Sequence, residues 1–370
     1  MKIVLSNSSN KWGGVHTVTQ ILARGLSDRG HDVRVFGFRK GQLRERAEKV
    51  VRFEPIVGGM DFSPRALWRV GAELRCDRPD VVLTLMKKDT TNSAVVAASM
   101  GIPVVIRHAN NRPLKDDLYH KTLYGKLPAL HIVNAEATRR TLLKSAPWLS
   151  PDKIKLIYNG VDAAQYESAK PIDTGLPAGS VAIGYVGAFE PRKGVLDLAA
   201  AWPRIAAQVP NAHLLLCGKG SLERRMRSML ESAPRVHWLG HRDDVPSVMK
   251  ALDMLVLPSY VEGAPNVVLE AMASALPVVA TAVSGTPELI RDGVDGKLIP
   301  DRNVDALVDA VAGLASNPDL RSRVAESAWR RVREHFTIDG MIDAYEEVFV
   351  GLAQAKRRAP YHSTPTSAFG

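Results

Sequence analysis

Residues 258–281, PSYVEGAPNVVLEAMASALPVVAT, continue the apolar run MLVLPS and read as a strand end, a tight turn, a helix and a second strand. MLVLPS and PVVAT are short, rich in Val and Leu and bounded by Pro, which is how strands buried on both faces read. A helix expected from about Pro265 to Ser274 joins them, and strands alternating with helices signal a parallel sheet with crossover helices. Moving outward, VAIGYVG, AHLLLCG, VHWLG and KLIP repeat the strand pattern with helical segments between them. This series begins after the Pro/Gly-rich stretch near residues 170–179. An earlier series precedes it: KIVLS, DVRVFGF, DVVLTL, PVVIR and LHIVNA, again separated by helical stretches. The pattern therefore runs twice, predicting two doubly wound α/β domains.

A length of 370 residues also fits two cores better than one. The expected organisation is a first domain over 1–165, a second over 166–335, a helix over 336–356 and a flexible tail over 357–370. With 45% apolar and 24% charged residues the composition is that of an ordinary globular protein. No apolar run approaches the roughly 18–20 residues of a membrane span, and the N-terminus turns polar after Leu5, so a cytoplasmic protein is expected. Cys76 and Cys217 stand far apart without Cys or His neighbours, which predicts buried free thiols rather than a disulfide or a zinc site.

The formal net charge of +10 is unevenly spread: residues 1–165 hold 27 Lys/Arg against 15 Asp/Glu, and residues 166–370 hold 22 against 24. A basic first half suits an anionic partner. The segments FRKGQLRERAEKVVRF and PRALWRVGAELR, the latter with Trp68, read as candidate amphipathic elements for an anionic membrane face. A phosphate-bearing or lipid-linked acceptor suits the same charge, and nucleic acid is not expected as a partner.

In open α/β sheets ligands lie beyond the carboxyl ends of the strands. Glu262 stands at such a strand end, Gly263, Ala264 and Pro265 form the turn, and Glu270 falls on the second or third turn of the helix. The first amides of that helix, around Asn266, Val267 and Val268, lack partners within it and form a ready site for a diphosphate. Glu262 is then placed to accept from sugar hydroxyls and Glu270 to reach a ribose diol.

The block EGAPNVVLEAMASALPVVAT resembles the Glu-x7-Glu block of retaining glycosyltransferase family 4, with its continuation GTPELIRDGVDGKLIP. The resemblance extends to Gly13-Gly14 in KWGGVHTV, to IRHAN, IYNGVD, GYVGAFEPRKG and LLCGKGS, and so covers nearly the whole chain. It implies the GT-B fold, two Rossmann-like domains with a cleft between them and a terminal helix that crosses back to the first. It also implies that Glu262 contacts the donor sugar and Glu270 the ribose. Gly13 and Gly14, after the first strand, let bare amides approach a phosphate. The histidine matching His108 lies near the reacting sugar in the family, so His108 is expected to donate to a sugar hydroxyl or to steady charge at the anomeric centre.

Lys193 in EPRKG follows a strand and suits the leaving diphosphate. Here the sequence departs from the family, which places an Arg directly after the strand glycine; Gly187 is followed by Ala188, and Arg192 is the candidate substitute. Gly218 and Gly220 in CGKGS, and Gly240 with Arg242 after another strand, occupy the places where relatives hold the base and nearby phosphate. Glu288 in SGTPELI is expected to brace the site. The implied reaction transfers a hexose-type sugar from a UDP- or GDP-sugar to a hydroxyl acceptor with retention, without a metal or other cofactor, as in the assembly of cell-envelope glycans. The rival readings are a sugar-nucleotide epimerase of the same fold and a non-catalytic nucleotide-sugar-binding protein.

Overall fold

The computed structural model describes residues 1–10, 13–56 and 63–358. Two all-parallel sheets form its frame. The first has the order β3-β2-β1-β4-β5-β6-β7, built from β1 (Lys2–Asn7), β2 (Asp32–Gly37), β3 (Arg52–Glu54), β4 (Val81–Thr84), β5 (Val104–His108), β6 (Leu130–Val133) and β7 (Ile154–Leu156). The second has the order β10-β9-β8-β11-β12-β13, built from β8 (Val181–Val186), β9 (Ala212–Cys217), β10 (Val236–Gly240), β11 (Met254–Leu257), β12 (Val278–Thr281) and β13 (Lys297–Ile299). Every residue of β4, β8, β9, β11 and β12 is buried, as strands covered by helices on both faces must be. In each sheet the order reverses beside the first strand, between β1 and β4 and between β8 and β11, which opens a crevice at the carboxyl ends. The fold is GT-B.

The second half shows the six strands read from its sequence, whereas the first half adds two. β3 (RFE) and β7 (IKL) are three-residue edge strands that mix charge with apolar residues, too short for a periodic signal. Because β3 is a strand, FRKGQLRERAEKVVRF is not one amphipathic helix: only Gln42–Ala47 is helical. The segment PRALWRVGAELR does form a helix, Pro64–Cys76, which buries Ala66, Val70, Gly71 and Leu74 and leaves Trp68 71% exposed. Cys217 is buried, but Cys76 at the end of that helix is exposed, contrary to expectation.

The expected boundary at 165/166 falls inside the helix Ala163–Ser168, which packs on helices of the second sheet, so the crossing lies just upstream, at residues 159–162. There the chain runs beside its own return: the Val161 N–H donates to the Phe336 carbonyl (2.9 Å) and Val161 bridges Thr337. The long helical region after β13 is three helices, Val304–Ala315, Pro318–His335 and Ile338–Arg358. The last crosses back and buries Met341, Ile342, Tyr345 and Phe349 in the first core beside Leu5, Leu22 and Leu83. At about 2 kcal/mol for each large side chain, that burial fixes the crossing. Gly25 permits it, since a Cβ there would lie 1.9 Å from the Ile342 side chain. The expected tail lies outside the described residues from position 359 onward.

Candidate active site

The carboxyl ends of the two sheets face each other across the cleft. The halves meet where β5 and β11 end: a Cβ on Gly263 would sit 2.2 Å from the Ala109 carbonyl oxygen and 2.9 Å from Asn134 Oδ1, so only glycine lets the two loops meet. To one side a cavity of about 860 Å³ opens, lined among others by Gln20, Arg24, Tyr166, Pro246, Asn266 and Glu270. At its rim Arg46 pairs with Asp243 at 3.1 Å, joining the first domain to the second.

Glu262 is 5% exposed and closely held. Its Oε1 accepts from Lys193 Nζ at 2.5 Å and from Ser259 Oγ at 2.7 Å, and its Oε2 lies 3.6 Å from the Arg192 guanidinium. Adjacent residues reach one carboxylate because Pro191–Lys193 form a single tight 3-10 turn. That turn ends on Gly194 at φ +61°, where a Cβ would lie 1.8 Å from the Pro258 carbonyl oxygen. The Tyr260 N–H donates to the Arg192 carbonyl (2.8 Å), which ties the cationic turn to the Glu262 loop. The product is a buried carboxylate faced by two cations at the ends of β8 and β11, with the Arg192 guanidinium also 3.4 Å from the Glu190 carboxylate. Position 188 offers no cation: Ala188 uses its carbonyl to accept from the buried Tyr185 hydroxyl at 2.8 Å.

The helix Asn266–Ala273 begins behind this cluster, with Pro265 as its N-cap in extended conformation. Its first turn closes with the Val268 N–H on the Pro265 carbonyl (3.1 Å). Glu270 sits one turn in, on the cavity wall, and burial pushes its carboxyl up to about 7. Across the gap stands the start of the helix Gly14–Asp28, with Gly13 as its N-cap; a Cβ on Gly14 would lie 3.3 Å from Asn266 Nδ2. The amino ends of two helices thus converge on one place, an arrangement that favours an anion between them.

Gly187, Gly218 and Gly240 close the carboxyl ends of β8, β9 and β10: the Gly187 N–H donates to the Cys217 carbonyl (2.9 Å) and the Gly218 N–H to the Gly240 carbonyl (2.7 Å). Gly220 packs under the Phe189 backbone, 2.4 Å from where its Cβ would be. The Arg242 guanidinium is committed to Asp244 through two bonds of 2.8 and 2.6 Å.

His108 ends β5, and its geometry corrects the expected hydrogen-bond role. His131 Nε2 lies 2.8 Å from the Tyr124 carbonyl oxygen, which can only accept, so the His131 proton sits on Nε2. His131 Nδ1 must then accept from His108 Nε2–H, at 2.9 Å. Burial, with smaller contributions from His131 and Arg107, holds His108 neutral, well below the usual imidazole range, and burial brings His131 down to about 4. A neutral His108 with its proton on Nε2 presents Nδ1 as an acceptor, not a donor.

Other residues also shape the site, most of them, Glu288 excepted, without a local sequence signal. Asp89 is fully buried, its carboxylate accepting from the Ser8 and Met86 N–H groups at 2.9 Å each, which binds the ends of β1 and β4; burial raises it to about 7. Glu288 braces the two domains: its carboxylate accepts from the Glu136 and Ala137 N–H groups (2.7 and 2.8 Å) and from the Tyr158 hydroxyl (2.9 Å). It therefore caps the helix Glu136–Ser145 of the opposite domain, whose own N-cap, Ala135, has no side-chain acceptor. Ser259, His131, Asn159 and Arg107 also emerge only in three dimensions.

Comparison with known proteins places this architecture. Residues 180–317 match the family model for glycosyl transferases group 1, and residues 12–165 match the model for glycosyltransferase family 4. A UDP-Gal:alpha-D-GlcNAc-diphosphoundecaprenol alpha-1,3-galactosyltransferase of Escherichia coli is 25% identical over 305 residues, covering 76% of this chain and 78% of its own. A phosphatidyl-myo-inositol mannosyltransferase of Mycolicibacterium smegmatis is 28% identical over 221 residues, 59% of this chain and 55% of its own. Against several other curated relatives, too, the chain spans only about half their length. The crystal structure of Anabaena HepE in complex with UDP and glucose superposes with a TM-score of 0.82 at 21% identity, covering 95% of this chain and all of that one.

Proposed function

The chain belongs to the group 1, family 4 glycosyltransferases, and from that premise we propose that it moves a hexose-type sugar, with retention, from a UDP- or GDP-sugar to a hydroxyl acceptor. The observation that carries this reading is the buried Glu262 carboxylate held between Lys193 and Arg192 at the start of the Asn266 helix. Such a cluster offers a carboxylate for sugar hydroxyls, fixed cations for a leaving diphosphate and, for the same charge, the helix-start amides of Asn266 and Val267, the expected third, Val268, being bonded to the Pro265 carbonyl. Arg192 stands in for the arginine missing at Ala188. The Gly13-Gly14 turn faces the phosphates from the other side. Glu270 accepts from the ribose diol, and backbone around Gly187, Gly218, Gly220 and Gly240 surrounds the nucleoside.

The cations and amides assume the charge-neutralising work, so the reaction runs without a metal cofactor. The anomeric C–O bond to phosphate breaks, the acceptor oxygen bonds to the same face of that carbon, and the departing phosphate takes the acceptor proton. His108 Nδ1 accepts from a sugar hydroxyl and orients the ring for this step.

The acceptor is a glycan or lipid-linked molecule of the cell envelope. Two of the curated relatives are named for lipid-borne acceptors. The basic first half, with Trp68 (71% exposed) and Leu118 (77% exposed) on its surface, suits peripheral contact with an anionic membrane at the cytoplasmic face. Among the described residues no helix is long and apolar enough to cross a membrane. The test is a panel of UDP- and GDP-hexoses offered with a polyprenyl-diphosphate glycan, with the product anomer read by NMR. We expect one donor to give transfer with retention; an inverted product, or donor epimerisation without transfer, would overturn the reading.

A further inference from the structure

Arg107 lies on β5, 4% exposed, and among the described residues no carboxylate is within ion-pair distance of it. Its Nε donates to the Tyr345 hydroxyl at 3.0 Å, its Nη2 to Asn159 Oδ1 at 2.7 Å, and its buried Nη1 has no partner among the described residues. A buried guanidinium facing neutral acceptors is costly, so its placement calls for a reason. That reason lies in what its hydrogen bonds dictate further along.

A guanidinium can only donate, so Asn159 must turn its carbonyl oxygen toward Arg107. The Asn159 amide nitrogen then points the other way, donating to the Ala264 carbonyl at 3.3 Å and to Asn266 Oδ1 at 2.6 Å. Since Asn159 Nδ2 can only donate, Asn266 must present its oxygen to Asn159. This leaves Asn266 Nδ2 on the cavity side, at the first position of the helix Asn266–Ala273 and opposite Gly14. The orientation of each amide follows from the one before it, and the chain begins at a residue with no acceptor to offer.

We propose that Arg107 and Asn159 are positioning residues that turn Asn266 so that its amide N–H, and not its carbonyl, meets the diphosphate of the donor. The inference rests on the donor reading given above. It adds that the phosphate pocket of the second domain is oriented from the first domain through the hinge residue Asn159. The anion site is then incomplete unless the two domains are docked at that hinge.

Asn159→Asp separates orientation from simple support. The substituted carboxylate still accepts from Arg107, and gives it a counter-charge, but has no N–H for Asn266, which is then free to turn its carbonyl toward the phosphate. The full chain would be titrated calorimetrically with UDP and with GDP as wild type, N159D, N266A and the double variant. N159D and N266A are each expected to weaken the tighter nucleotide about tenfold, the scale of one hydrogen bond to a charged group. The double variant should bind no more weakly than N266A alone. Losses that add in the double variant would mean that the new carboxylate merely repels the anion, and would overturn the proposal. So would wild-type binding that N159D or N266A leaves unchanged. If the wild type bound neither UDP nor GDP, the donor reading would fail, and the proposal with it.

Discussion

Two histidine pairs in this molecule have nearly the same geometry and opposite surroundings. His108 and His131 lie on neighbouring parallel strands of the first sheet, with ring centres 5.2 Å apart, planes at 36° and nitrogens at 2.9 Å. His213 and His237 lie on neighbouring parallel strands of the second sheet, at 5.2 Å, 34° and 2.9 Å. Each pair joins diagonal positions on one face, which the regular slant of a parallel ladder makes available anywhere in a sheet. Place and polarity separate them. His108 is the last residue of β5, at the cleft, whereas His213 and His237 are the second residues of β9 and of the edge strand β10, away from the carboxyl ends. The first pair has a third member, the Tyr124 carbonyl, which pins the order of protons, whereas among the described residues the second has no such anchor. A short His–His contact is therefore not itself a functional signal. An anchored contact ending at the carboxyl end of a strand is the one proposed to act on the sugar.

The strongest way to break this comparison is to remove one histidine from each pair. His108→Ala should lower kcat/KM for sugar transfer by roughly 100-fold, the scale of deleting one preorganised polar group from an active site. His237→Ala should leave kcat/KM within about twofold, since surface changes away from a site act weakly. Equal losses in steady-state assays, at matched Tm, would show that position along the strand does not distinguish the pairs.

A smaller effect tests the anchor. His131→Phe leaves the His108 Nε2–H without its acceptor and frees the ring to turn or change tautomer, and should cost about tenfold in kcat/KM together with some stability. A glutamine at this position can accept from His108 through its carbonyl and donate to Tyr124 through its amide. His131→Gln should therefore recover most of the activity. If the two variants behave alike, the pair packs but does not direct.

The same contrast explains what was legible in the sequence. The places of Glu262, Lys193 and the Asn266 helix could be read because each lies within a few residues of a strand end, in a short local motif of its own stretch of chain. His131 could not, because LHIVNA reads as a buried strand and nothing local points to a partner 23 residues earlier. The Glu288 cap on Glu136 joins positions 152 residues apart, and Arg107 appears in sequence only as a charge inside an apolar strand. The role expected of His108 as a donor was reversed for the same reason, since its tautomer is set by the distant Tyr124 carbonyl. For the fold, the alternation of buried strands and helices sufficed wherever strands were covered on both faces. It failed at the edge strands of the first sheet, β3 and β7, where Arg52, Glu54 and Lys155 interrupt the pattern.

The smallest effect concerns acid. Burial is the first cause lowering all four imidazoles, so each is neutral in the native protein and more easily protonated once unfolded. Between the ordinary imidazole value near 6.5 and the lower native value, the unfolded chain binds more protons. Stability contributed by these groups is thus complete above about pH 6.5 and is lost as pH falls through that window, down to about 4 for His131. Asp89 and Glu270, raised to about 7, act with the opposite sign, because the native state holds their protons where the unfolded chain releases them. The acid response of the wild type is a difference between these terms, so the informative quantity is the change a substitution makes to it. A His213→Gln/His237→Gln variant keeps polar side chains at the outer pair but removes its titration. Its Tm should fall by ~2 °C less than that of the wild type between pH 7.5 and 5, with transfer activity at pH 7.5 unchanged. A larger protection would mean that the outer pair is more firmly enclosed than its edge position allows. Loss of activity would tie the far edge of the second sheet to the cleft and remove the distinction between the two pairs.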